Sequence, residues 1–169
     1  MRERLWGSEP YAAIYSSPLR RAWDTALGLQ EAGLGQVIAC AELEEIDCGE
    51  LDGMLLEWVK GRHPGLWAAN RRQTDDAFRW PGGESYREFR ARCLRAVRRL
   101  ARMHRGERIA LVTHAGVISQ ILGYIHGFGP ARWEPFRPGH TGFTEIQWSR
   151  RQAAVVAFDD HRHLQLESA

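Results

Sequence analysis

Long apolar runs are missing from this 169-residue chain. No stretch approaches the ~20 consecutive apolar residues that a membrane-spanning helix needs, so no membrane partner is expected. Nor does a basic-then-apolar leader stand at the start, so no secretory signal is visible. Cysteine is scarce: Cys40, Cys48 and Cys93 make an odd count with no C-x-x-C, and two of them lie in apolar surroundings. That argues against a disulfide framework or a zinc site and fits a reducing, cytoplasmic setting. His161-x-His163 is too thin a pair for a metal claim. Lysine is nearly absent, with Lys60 alone among 23 basic residues, so arginine carries the positive charge. Internal repeats and low-complexity segments are lacking too, which sets aside solenoid and fibrous designs.

What is present suits a globular protein. A hydrophobic content of 44% and a charged content of 26% are ordinary, and the length supports one domain with a real core. The formal net charge of +2 is unevenly spread. Residues 1–59 carry −7, residues 60–108 carry +9, and residues 109–169 balance. The middle third therefore offers a basic surface. A nucleic-acid partner has to be weighed there against a small anionic one.

The stretch Tyr15 to Ala26, YSSPLRRAWDTA, carries the most information. Tyr11 to Tyr15 is short, apolar and aromatic, which predicts a strand. Ser17 is a candidate helix cap, Pro18 suits a first turn, and Gly33 suits a helix end. Arg20 and Arg21 then fall where the chain reverses at the carboxyl end of a strand. Ligands bind at that edge in open α/β sheets. A guanidinium beside free helix N–H groups is suited to a phosphate, although a solvated helix surface explains two such arginines equally simply.

Further along, Val37 to Cys40 predicts a short second strand. Residues 42–53 are acidic and glycine-punctuated, as a functional loop would be. Leu55 to Arg62 predicts a short helix ended by Pro64. Trp67 to Trp80 has no clear period and reads as a lid. Ser85 to Arg105 is the strongest helix, opened by the capping box Ser85-x-x-Glu88 and ended by Gly106. Tyr86, Phe89, Cys93, Ala96, Leu100 and Met103 share one face, and eight arginines line the rest as a solvated or nucleic-acid-binding surface. No aromatic residue interleaves with them as a stacking platform, so nucleic acid is the weaker reading. Ile109 to Thr113 is a continuous apolar strand of the kind buried on both faces. His114-Ala115-Gly116 is a tight turn into an apolar helix, so this unit delivers its histidine to the same edge as Arg21. Residues 142–148 and 153–158 predict a terminal hairpin, and residues 159–169 a polar tail.

Taken together, SSPLRRA, LEEIDCGELDG, PGGES and VTHAG resemble the histidine phosphatase superfamily, also called phosphoglycerate mutase-like, in order from about Tyr11 to Trp148. The resemblance implies a three-layer α/β fold with a mainly parallel sheet flanked by helices and closed at one edge by the hairpin. It implies that Arg21 clamps a phosphoryl group, that Glu45 (or, by register, Glu44) is the general acid, and that His114 contacts the transferring group. Gly116 would keep backbone N–H groups open to an anion. Glu84 in the GGES turn and His140 in the PGHT turn are expected near the site, against substrate. The implied substrate is a small phosphorylated metabolite, or inorganic phosphate as ligand, with no cofactor. The family's Arg-His-Gly motif, whose histidine is the nucleophile, occurs nowhere in this sequence. The expectation is a single domain over 1–169 without its first strand-helix unit, inactive alone and prone to homo-oligomerise. A non-catalytic phosphate-binding protein and a mutase-type phosphotransferase are the rival expectations.

Overall fold

The computed structural model describes residues 10–167. Three parallel strands form the main sheet: β1 (Ala13–Ser16), β2 (Val37–Ala39) and β3 (Ile109–Val112), in the order β2-β1-β3. Ile14 pairs with Val37 on one side and Ala110 on the other, and Tyr15 with Ile38 and Leu111. All four residues of β1 are buried, as its central position requires.

Strand alternation separates two apolar layers. Ala13 and Tyr15 face Phe89, Cys93, Ala96, Val97 and Leu100 of helix α4 (Tyr86–Met103) and Val117 and Ile121 of α5 (Ala115–Ile125). Ile14 and Ala110 turn the other way, onto Ala26 of α1 (Arg20–Glu31) and Leu34. The sheet thus sits between α1 and the α4–α5 pair, and the three-layer α/β expectation holds.

Helix α4 starts as its sequence specifies. The Ser85 side chain accepts from the Glu88 N–H, and the Glu88 carboxylate takes the Ser85 N–H at 2.7 Å. It ends at Met103, two residues before the predicted end. Met103 is 59% exposed, because the apolar stripe has already drifted off the core. Helix α1 departs from its prediction. Its N-cap is Leu19, without a side-chain cap; Ser17 lies two residues upstream, where its Oγ accepts the Leu19 N–H at 3.2 Å.

The 67–80 stretch is no unstructured lid. Helices α2 (Leu56–Arg62) and α3 (Pro64–Arg72) lead into a third cluster of Val59, Phe78, Trp80, Tyr86 and Ala131. Pro64 opens α3 as its first helical residue, where its missing N–H costs nothing. Aromatic packing outweighed the missing period: Phe78 meets Trp80 edge-on at 5.1 Å.

The hairpin forms as β4 (Phe143–Trp148) and β5 (Ala153–Asp160), but as a separate two-stranded sheet. It packs by side chains, with Ile146 and Trp148 on the α4–α5 core. Its backbone does not join β3, so the expected closure of the parallel sheet by the hairpin is not made. An open cleft of about 2310 Å³ lies there, lined by residues 109–113 on one side and 143–148 on the other. The predicted polar tail begins later than Asp159. Asp159 and Asp160 end β5, residues 162–167 form 3₁₀ turns, and residues 168–169 lie outside the described ones. Among the described residues, no helix is long and apolar enough to cross a membrane.

Candidate active site

Parallel pairing puts the carboxyl ends of β1 and β3 side by side. Ser16 and Ser17 leave β1, and Thr113 and His114 leave β3. His114 is buried, and its Nε2 shares a 2.8 Å hydrogen bond with Ser17 Oγ. Burial pushes its pKa down to about 4, with Arg21 and then Arg92 adding to the effect. The imidazole is therefore neutral at pH 7. Ser17 was missed as a site residue. Its place between a buried strand and Pro18 was the available signal.

The loop after β2 brings a carboxylate. Thr113 Oγ1 donates to Leu43 O at 2.7 Å and ties that loop to the end of β3. Glu45 then reaches the turn after His114. Its Oε2 accepts the Gly116 N–H at 3.1 Å and its Oε1 accepts its neighbour Ile46 N–H at 3.0 Å. Glu44 contributes its carbonyl to Arg92 instead, so of the two glutamates Glu45 is the one bonded to the His114–Gly116 turn. The Gly116 N–H is thus engaged by a carboxylate rather than open, an anionic group at a helix N-terminus all the same. A Cβ on residue 116 would stand under 3.0 Å from that carboxylate, so the approach needs glycine.

Arg21 stands exposed in the first turn of α1, close enough to depress His114 electrostatically. Arg20 is spent on Asp24, one turn on, with Nε to Oδ2 at 3.4 Å. His140 is exposed in the turn before β4, and it lines the same cleft as Arg21, Glu45 and His114. Glu84 differs from its expected place facing substrate. Its carboxylate is bonded to the Arg92 guanidinium and accepts the Asp47 N–H at 3.1 Å. The loop of Glu45 and the GGES turn pack backbone to backbone. A Cβ on Gly49 would strike Pro81 O, and one on Gly83 would strike Asp47 O.

Two of the α4 arginines, Arg90 and Arg92, are not the solvated face the pattern suggested, and a third, Arg99, is paired at the surface. Arg90 is buried and donates Nε to Gln120 Oε1 at 2.7 Å and Nη2 to Gly129 O at 3.1 Å. Arg99 pairs with Glu42 at 2.5 Å, and Arg92 holds the loop of Glu45.

These groups assemble a cation, a carboxylate and a neutral imidazole around one cleft at a sheet edge, the layout of an anion-handling site. The model of the histidine phosphatase superfamily (branch 1) matches residues 1–161. The chain belongs to the histidine phosphatase superfamily. Among its curated relatives, the Arabidopsis thaliana metal-independent phosphoserine phosphatase is 37% identical over 122 residues, which is 70% of this chain and 50% of that protein. The Arabidopsis thaliana phosphoglycerate mutase-like protein 4 is 32% identical over 120 residues, 70% of this chain and 52% of that protein. The chain spans about half the length of these relatives. Among solved structures, Bacillus stearothermophilus YhfR superposes with a TM-score of 0.80 at 24% identity, covering 89% of this chain and 74% of that one. A mycobacterial glucosyl-3-phosphoglycerate phosphatase, solved with inorganic phosphate, gives 0.76 at 23%, covering 89% and 77%. Identities this low speak for a shared fold.

Proposed function

We propose that this histidine phosphatase superfamily chain carries the phosphate-handling groups for hydrolysis of small phosphomonoesters through a phosphohistidine. The observation that carries the reading is the convergence of Arg21, Glu45 and His114 on one cleft at the carboxyl edge of β1 and β3. In such a reaction the phosphoryl group passes from substrate oxygen to a histidine nitrogen and then to water. The demand on the protein is positioning and charge stabilisation. Arg21 clamps the non-bridging oxygens with its planar fork. Neutral His114 offers one ring nitrogen to the phosphoryl group while Ser17 holds the other's orientation through Nε2. Glu45, beside them, protonates the leaving oxygen and then takes the proton from the attacking water. The nucleophile is a further histidine. The cleft between β3 and β4 has room for a further strand, and the Arg-His-Gly motif is not in this sequence.

That last fact also supports a second reading, in which the 169 residues bind phosphate without turnover. Nucleic-acid binding loses support, because Arg90, Arg92 and Arg99 are committed to protein partners. Calorimetry with inorganic phosphate or vanadate tests the shared pocket: binding is expected for the parent chain and lost in Arg21→Ala. Undiminished affinity in that variant would sink the assignment. Turnover of p-nitrophenyl phosphate separates the two readings. Negligible turnover is expected from the chain alone, and restored turnover when a strand bearing Arg-His-Gly is supplied. Binding with no restored turnover would leave the second reading.

A further inference from the structure

The best-connected side chain near the site does not line the cleft and reaches it through the backbone of Glu45. Arg92, on α4 and largely buried, donates Nη1 to Glu42 O at 3.0 Å and to Glu44 O at 2.9 Å, and Nη2 to Glu45 O at 3.1 Å. Its Nε and Nη2 also meet the two oxygens of Glu84. Glu84 in turn accepts the Asp47 N–H. One guanidinium therefore gathers three carbonyls from the loop that carries Glu45, and its counter-ion holds the far end of that loop. Such a pattern exceeds what stabilising α4 needs: Arg92 also lies over the Phe89 ring at 5.0 Å, but every hydrogen-bond partner it has apart from Glu84 is backbone of residues 42–45. We infer that Arg92 is a positioning residue that, with Glu84, sets Glu45 against the His114–Gly116 turn. The inference rests on the proposed function for its catalytic meaning, but the geometry it asserts stands apart from that. A lysine could not replace it, since a single ammonium cannot span three carbonyls and a carboxylate in a fixed fork. Loss of the guanidinium would also leave three carbonyls short of a partner.

The test reads the position of Glu45 directly. The Gly116 amide proton donates to Glu45, so its NMR shift should follow the titration of that carboxyl, and the dependence should vanish in Glu45→Gln. In Arg92→Met most of that titration amplitude should be lost, with little recovery in Arg92→Lys. Glu84→Gln, a gentler change, should reduce it too, and it serves if Arg92→Met fails to fold. A thermal shift in these variants with the Gly116 titration intact overturns the inference and leaves Arg92 a stabilising residue only. Phosphate calorimetry on the same samples keeps the two questions apart. An intact Gly116 response without phosphate binding removes the proposed function and leaves the positioning role standing.

Discussion

At the scale of single residues, His114 makes stability depend on pH. Its ordinary pKa is 6.5 and burial holds it near 4 in the folded chain. Below about 6.5 the unfolded chain takes up a proton that the folded chain refuses. Stability therefore falls as pH drops from 6.5 to 4, by up to about 3 kcal/mol, and this group has no effect above that window. Urea midpoints across pH 4 to 7.5 should show the fall, and His114→Gln should flatten it. An equal slope in the variant would assign the effect to another group. A phosphoryl dianion bound beside Arg21 would oppose the depression, since a nearby negative charge favours the imidazolium. Gly116→Ala acts at the same turn. The added Cβ meets the Glu45 carboxylate, so Glu45 has to leave its place. Loss of the Gly116–Glu45 contact with α5 still formed is the expected NMR outcome.

At the scale of elements, α4 shows what a local rule predicts well. Ser85 and Glu88 close their box reciprocally, so Ser85→Ala should cost about 1 kcal/mol. For a domain of this size that lowers Tm by roughly 2–4 °C. A calorimetric scan checks it, and no shift at all would mean that the cap is redundant with the Arg79–Glu88 ion pair at 3.0 Å and the antiparallel bridge between Arg79 and Ser85. The arginines of α4 show where the same rule stops. Arg90 follows Tyr86 by four residues and precedes Cys93 by three and Leu94 by four, so it lies on the apolar stripe; that spacing was a readable sign of a buried role. Arg92 gave no such sign, because three of its hydrogen-bond partners are backbone carbonyls 47 to 50 residues away.

At the scale of the whole molecule, the outer edge of β3 decides behaviour. Arg108 and Val112 give their carbonyls to Ala12 and Ser17 on the β1 side. By strand alternation, Ile109 and Leu111 turn their polar backbone groups toward the cleft. Among the described residues no strand pairs with that side of β3, and such an edge beside a cleft invites another strand. In dilute solution the amides of Ile109 and Leu111 should exchange with solvent much faster than that of Ala110. They should become protected as concentration rises, or when a strand-forming segment is added. Sedimentation alongside hydrogen exchange tests this. Slow exchange at Leu111 in a monomer would mean the edge is already covered.

The local chemistry of the chain determined the apolar strands, the capping box of α4 and the two strand-turn-helix units that aim Arg21 and His114 at one edge. Each of those depends on side chains within a few residues of one another. The tertiary structure alone decided the rest. It set Ser17 against His114 across 97 residues. It bonded Glu45 and not Glu44 to the Gly116 N–H, paired Glu84 with Arg92, and left the hairpin apart from β3. These outcomes depend on where distant backbones come to lie, and no spacing along a sequence encodes the meeting of a guanidinium with carbonyls. A side-chain pattern reports which face is buried; only the packed chain determines which partner waits there.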